Sequence, residues 1–312
     1  MTKKILLTGL QSTGDLHIGN YFGALKPFID DYLNYQSYLM VVDYHALTSV
    51  RNPNELRENT KNVVRDYLAA GLDPSQCVLF RQSDVPAHTE LAWILNCMIP
   101  VPYLMLAHSY KDKVAKGLEA NAGLFTYPML MAADILLYDT DIVPVGEDQR
   151  QHVEYAREAA KKFNASYGEV FKSPEERINK EVAIVPGTDG AKMSKSYKNT
   201  IPLFASRDEI AKAVMSIVTD SGSDRPEHVY AIHKLFRTDE DLESLYDQHK
   251  GKYKALKDAL VEDIDSYFAP MREKRESISD EEVARVLKEG GEKANAAAEA
   301  KMETVRKAVG VR

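Results

Sequence analysis

The sequence predicts an α/β fold, a parallel sheet followed by a second, helical region. Three observations carry this. Short, nearly continuous apolar runs alternate with amphipathic stretches of helical spacing through the first 190 or so residues, the pattern of strands covered on both faces. Polar loops containing glycine follow several of those runs, as at the strand tips of an open sheet. From Arg207 onward the runs stop and charged helical patterns take over (Glu209 to Val218, Asp239 to His249, Tyr253 to Phe268, Glu281 to Val309), with the boundary near Ser196 to Ser206.

Ile5 to Leu7 reads as the first buried strand, Gly9 and Gly14 bracket a tight loop, and Ile18 to Phe28 begins a helix. A helix N-terminus offers unpaired N–H groups and the positive end of the macrodipole, a natural seat for phosphate. His17-Ile18-Gly19-Asn20 sits there. Gly19 lets a nucleotide lie flat on the backbone, while His17 and Asn20 are neutral donors to a phosphate oxygen or ring edge. The stretch is neither G-x-G-x-x-G nor a Walker A loop, and taken alone a plain strand–turn–helix explains it equally well.

A helix through Tyr21 to Tyr35 leads to a second strand that ends in Asp43-Tyr44-His45. At such a tip Asp43 and His45 either face the same crevice as His17 or are structural. Asn52-Pro53 caps a helix that stops at Gly71, Val78 to Phe80 is a third strand, and Pro86 opens a helix carrying the sole tryptophan, Trp93. The β-α-β-α-β-α order requires right-handed crossovers. Met98 to Met105, interrupted by Pro100 and Pro102, reads as core, with a subunit interface as the second reading.

Leu124 to Leu137 is a helix that is apolar all round except at Asp134. A buried, unpaired carboxylate costs on the order of several kcal/mol, so Asp134 is either ion-paired within the fold or reserved for a ligand donor. Asp141 to Val145 is a fourth strand and runs into Gly146-Glu147-Asp148-Gln149. Acidic groups there hold ribose hydroxyls or complement the next helix dipole. After a last apolar run, Val182 to Pro186, comes Gly187-Thr188-Asp189-Gly190-Ala191-Lys192-Met193-Ser194-Lys195-Ser196. This is a solvated loop or a mobile clamp whose two ammonium groups neutralise a triphosphate.

Composition narrows the class. With 312 residues, 44% hydrophobic and 28% charged, the chain has the make-up of a soluble globular protein of one or two domains. A net charge of −7 excludes a uniformly basic coat but not a local basic stripe. Lys288, Lys293, Lys301, Arg306, Lys307 and Arg312 either form one or are a solvated helix face. The two cysteines, Cys77 and Cys97, lack metal-site spacing and fit a reducing compartment. Neither a signal peptide nor an apolar run of membrane-spanning length is present, so a cytoplasmic protein is expected.

His17-Ile18-Gly19-Asn20 together with Lys192-Met193-Ser194-Lys195-Ser196 resembles the paired HIGH and KMSKS signatures of class I aminoacyl-tRNA synthetases. Gly19 to Ala24, Thr126-Tyr127-Pro128 with Met131 to Leu136, Val143 to Gln149, Val218 to Ser221 and Glu292 to Asn295 resemble the bacterial-type tryptophanyl-tRNA synthetase family nearly end to end. The resemblance implies a Rossmann-like parallel-sheet catalytic domain over residues 1–196 and an all-helical anticodon-binding region over 197–312, whose last helix can pack back on the catalytic domain. It implies activation of tryptophan by Mg-ATP, transfer to the 3′ end of tRNA(Trp), a homodimer with Met98 to Met105 near the seam, and no protein-liganded metal.

Carried over by position, the resemblance gives His17, Asn20, Lys113, Lys192 and Lys195 the catalytic roles. ATP would meet Gln11, Gly19, Asn20, Gly146, Asp148, Gln149, Ile184, Lys192, Met193, Ser194 and Lys195. Tryptophan would meet Leu7, His45, Tyr127, Met131, Val143, Val145 and Gln149, with Asp134 accepting the indole N–H. The chain departs from the family pattern at Ser12-Thr13 in the first loop, at Leu7 where Phe is common, and at Tyr44. A tyrosyl-tRNA synthetase shares both motifs but typically has Gln three residues before its substrate-contacting Asp, where this chain has Met131. A catalytically retired RNA-binding paralogue is a further reading, against which Lys192, Lys195, Asp134 and Asp148 argue. A small-molecule nucleotidyltransferase shares the first motif but needs no helical second region.

Overall fold

The computed structural model describes residues 3–10, 16–107, 110–111, 121–146, 149–178, 185–219 and 225–311. Strand β1 (Ile5–Leu10) is followed by a helical stretch made of α1 (Ile18–Asn20), a π turn (Tyr21–Leu25), α2 (Lys26–Asp31) and a 3-10 turn (Tyr32–Asn34). The single helix expected there is thus irregular: Pro27 donates no N–H to the preceding turn, and the wider π spacing lies just ahead of it.

Then come β2 (Gln36–Val41), α3 (Asp43–Ala46), α4 (Pro53–Ala69), β3 (Val78–Arg81), α5 (Ala87–Asn96) and α6 (Val101–Leu104). The Asn52 side chain caps α4 by accepting from the Asn54 and Glu55 amides. Next are α7 (Ala122–Leu136), β4 (Ile142–Val145), α8 (Arg150–Tyr167) and β5 (Glu175–Ile178). The helical region comprises α9 (Arg207–Met215), α10 (Glu227–His233), α11 (Asp239–Gln248), α12 (Tyr253–Ser277) and α13 (Asp280–Val309).

Among the described residues the sheet is five-stranded and parallel, in the order β3-β2-β1-β4-β5. Its order reverses beside β1, so the tips of β1 and β4 form the crevice in which an α/β sheet binds ligands. Successive residues of β1 and β2 enter different clusters: Leu6, Leu39 and Val41 one, and Leu7, Tyr38, Met40 and Val42 the other. This two-sided burial is why both strands read as unbroken apolar runs. The apolar run at 182–186 lies mostly outside the described residues, whereas β5 is the charged segment Glu175-Glu176-Arg177-Ile178. An edge strand paired on one side needs no apolar run, and its Glu176 is held by Arg157 and Arg150 of α8.

The last helix returns to the sheet. A Cβ placed on Gly290 would lie 1.8 Å from the Leu79 carbonyl oxygen, so α13 rests directly on the backbone of β3. Lys61 and Arg65 of α4 pair with Asp280 at its start. At its far end, Lys301 reaches Asp139 at 2.6 Å and the Val170 carbonyl at 3.0 Å, and buried Arg306 forks onto Glu90 and Glu299. Two of the basic residues left open between a nucleic-acid stripe and a solvated face are therefore neither, because carboxylates of the chain itself engage them. Among the described residues, no helix is long and apolar enough to cross a membrane.

Candidate active site

The site begins at the junction of β1 and α1. The His17 ring nitrogen Nδ1 accepts from the Asn20 amide (3.2 Å), and the Asn20 carbonyl-type Oδ1 accepts from the His17 amide (3.1 Å). This reciprocal cap satisfies two amides of the helix start. It also fixes the imidazole: with Nδ1 accepting, the proton sits on Nε2. Burial, reinforced by the charge of Lys195, lowers the His17 pKa to about 4, so the ring is a neutral donor at physiological pH.

That influence of Lys195 reflects a direct junction between the two motifs. The Ile18 amide donates to the Ile201 carbonyl (3.0 Å), and the Leu203 amide to the Leu16 carbonyl (2.9 Å). Met193, between the two lysines, is buried, and its Cβ lies 3.2 Å from where a Cβ on Gly19 would stand. Glycine at 19 thus permits the approach of the second motif as well as leaving the backbone open. Lys192 and Lys195 are exposed, and Ser194 is half-buried.

The lysine loop is a short hairpin, with the Gly187 amide on the Ala191 carbonyl and the Met193 amide on the Val185 carbonyl. Gly190 has φ +83°, and a Cβ there would meet the His228 ring of α10 at 2.3 Å. The Val218 amide donates to the Thr188 carbonyl, so the loop leans on the helical region at two points.

Opposite lies α7. Tyr127, Met131 and Asp134 occupy positions i, i+4 and i+7 and so share one helix face. Leu7 of β1 and Val143 of β4 are buried in the same cluster, with Met131 and Val145 packed against it. Tyr127 meets the His45 ring edge-on at 4.4 Å between centroids. Gly146 is exposed, and Gln149 is half-buried at the start of α8.

Asp134 is 2% exposed and carries more than the sequence disclosed. Its Oδ1 accepts from His88 Nδ1 (2.6 Å) and Gln82 Nε2 (2.8 Å), and its Oδ2 from His45 Nε2 (2.8 Å) and Gln82 (3.0 Å). Tyr138 closes the chain on His88 Nε2 at 2.9 Å. Burial alone would raise the carboxyl pKa, but the hydrogen bonds and charges of the two histidines prevail and hold it below the ordinary range. Of the two readings left open for this carboxylate, pairing within the fold is what the chain displays, through His45, His88 and Gln82. His45 Nδ1 and Gln82 Oε1 of the same group have no hydrogen-bond partner among the described residues.

The structure therefore brings His17, Gly19, Asn20, Met193 and Ser194 to one junction, with Lys192 and Lys195 on its exposed side. Leu7, His45, Tyr127, Met131, Asp134, Val143 and Val145 gather beyond it. Gln11, Lys113, Asp148 and Ile184 lie outside the described residues. Gln82, His88 and Tyr138 escaped sequence reasoning. The signal for them was the unmet demand of Asp134, which no local pattern could assign to the turn after β3 or to α5.

The family described as tRNA synthetases class I (W and Y) matches residues 2–305 of the chain. A tryptophan–tRNA ligase of Fusobacterium nucleatum is 48% identical over 98% of this chain and 97% of its own length. One from Campylobacter jejuni is 46% identical over 98% and 99%. The crystal structure of Campylobacter jejuni tryptophanyl-tRNA synthetase complexed with ADP and tryptophan superposes with a TM-score of 0.94 at 45% identity, covering 98% of this chain and 99% of that one. The paired motifs, the parallel sheet and these full-length matches agree: the chain belongs to the class I tRNA synthetases for tryptophan and tyrosine, on their bacterial tryptophanyl branch.

Proposed function

We propose that this chain ligates tryptophan to tRNA in two steps, with its residues placed as follows. A carboxylate oxygen of tryptophan bonds to the α-phosphorus of Mg-ATP as the bond to pyrophosphate breaks, and a ribose hydroxyl of the 3′-terminal adenosine of the tRNA then takes the tryptophanyl carbonyl carbon as its bond to the adenylate oxygen breaks and AMP leaves. His17 Nε2–H and the Asn20 amide group donate to phosphate oxygens. Lys113, Lys192 and Lys195 stabilise the charge that develops on pyrophosphate. Gly19, Ile184, Met193 and Ser194 border the adenosine, Gly146 and Asp148 hold its ribose, and Gln11 and Gln149 meet the polar end of the amino acid. The indole enters between Leu7, Tyr127, Met131, Val143 and Val145, and its N–H is received by the Asp134 group. Magnesium arrives with ATP as part of the substrate.

The observation that supports this reading most is the junction of the two motifs, where the neutral imidazole of His17 stands against the loop that carries Lys192 and Lys195. Charge stabilisation by preorganised groups is then the main source of rate, with no covalent step on the enzyme. The division of labour follows the fold: residues 1–196 activate the amino acid and residues 197–312 engage tRNA in the cytoplasm. Two copies pair through an apolar surface on α5 and α6, where Trp93, Val101, Met105 and Leu106 are each half exposed or more.

ATP–pyrophosphate exchange with a panel of amino acids tests the reading. Tryptophan alone supports exchange if it is right. Exchange with tyrosine instead would overturn the specificity, and exchange with none would overturn the activity.

A further inference from the structure

We propose that Asn199 is a positioning residue for the two lysines, a clip that sets the backbone on both sides of Met193. The inference rests on the reading of Lys192 and Lys195 given above.

Asn199 is 2% exposed, so every polar atom of its side chain needs a partner. Its Oδ1 accepts from the Ser194 amide at 2.7 Å. Its Nδ2 donates to the Lys192 carbonyl at 3.2 Å and to Asp189 Oδ1 at 2.7 Å. Its own carbonyl accepts from the Thr188 amide at 2.9 Å. One residue thus ties the outgoing side of the loop, Thr188 and Asp189, to the returning side, Lys192 and Ser194.

Two further features point to the same seat. Lys198 adopts φ +53° and ψ +32°, a left-handed conformation that is uncommon for a residue with a Cβ. It turns the chain so that Asn199 enters beneath the loop it has just left. A Cβ on Gly187 would stand 2.3 Å from Asn199 Nδ2, so only glycine leaves room for the amide.

Met193 is the fixed point of the loop, buried against the first motif. The Lys192 carbonyl and the Ser194 amide are the backbone groups immediately before and after it, and Asn199 binds both. Their orientation determines where the Lys192 and Lys195 side chains depart relative to His17. Asn199 touches no substrate in this proposal and acts only through those lysines.

The test compares tryptophan-dependent exchange in the parent protein with that in N199A, N199D and G187A. N199A strips the Ser194 amide and the Lys192 carbonyl of their partner, and kcat falls about ten- to a hundred-fold while the KM for tryptophan holds. G187A displaces the Asn199 amide and shows the same split. N199D keeps the shape and the acceptor, but sets a second carboxyl against Asp189. Its activity relative to the parent rises as the pH is lowered from about 8 to about 6, because protonation restores a donor. Unchanged kcat in N199A and G187A overturns the proposal. So does a loss of kcat matched by loss of tryptophan affinity, with a flat N199D ratio, since that marks a merely structural role. Absence of exchange in the parent strikes the functional reading instead, and the two failures are thereby distinct.

Discussion

Removing the Asp134 carboxylate would leave His45, His88 and Gln82 with buried donors and no acceptor. With Asp134 accepting the indole N–H, as the resemblance implies, Asp134→Ala costs tryptophan affinity, and the hydrogen bonds its carboxylate takes from within the chain add a loss to the fold. Urea unfolding should show D134A destabilised by on the order of 3 kcal/mol, and Asp134→Asn, which keeps an acceptor and the shape, by less. A D134A midpoint equal to the parent's would show that the three donors find other partners. His17 gives a second prediction at this scale. Its folded pKa is about 4 against 6.5 in the unfolded chain. Its contribution to stability is therefore complete above pH 6.5 and is lost as the pH falls toward 4, where the unfolded state takes up a proton that the folded state refuses. The slope from this one group reaches at most about 1.4 kcal/mol per pH unit. The His17 ring protons should titrate in NMR with a midpoint near 4; a midpoint near 6.5 would contradict the buried capping geometry. Each lone motif residue was legible, since His17, Asn20, Lys192 and Lys195 sit in short local patterns. Gln82 and His88 were not, because their role exists only where three elements converge.

At the scale of elements, strands β1 to β4 and helices α4, α5, α7 and α8 could be read from burial on two faces, caps and turn residues. β5 could not, because an edge strand stabilised by Arg157 and Arg150 leaves no periodic apolar mark. α10 was likewise missed, being only Glu227–His233. Helix α13 carries two successive glycines in its interior, Gly290 and Gly291, where each costs about 1 kcal/mol relative to alanine. The structure explains one of them outright. A Cβ at Gly290 would fall on the Leu79 carbonyl oxygen at 1.8 Å, whereas one at Gly291 would meet the Asp84 side chain, nearest at its Cβ at 3.2 Å. Gly290→Ala should therefore lower stability by on the order of 1–3 kcal/mol, and Gly291→Ala by much less. The comparison of denaturation midpoints decides it, and equal midpoints would show that α13 lifts off β3 without cost.

For the whole molecule, the exposed surface of α5 and α6 bears on assembly. The sequence placed Met98 to Met105 in the core by default. Ile99 and Leu104 are buried, but Val101 and Met105 are more than half exposed beside Trp93, which is 72% exposed. Replacing Trp93 by Asp places a charge in the proposed seam. Light scattering should then report half the mass of the parent, with the isolated protomer still folded. An unchanged mass would move the seam elsewhere. Because Trp93 is the only tryptophan, its emission also reports this surface directly in the parent protein, shifting to the blue as concentration drives pairing.

The seat of α13 on β3 bears finally on synthesis. Residues 280–309 cover a strand made two hundred residues earlier, and the ion pairs of Asp280, Lys301 and Arg306 close loops of comparable length. A nascent chain with β3 already outside the ribosome cannot cover that edge until its last helix has emerged. Until then the backbone edge of β3 stands open to other chains, as long-range pairing always delays burial. Ribosome-bound chains halted before Asp280 will be the form of this protein that most needs a chaperone.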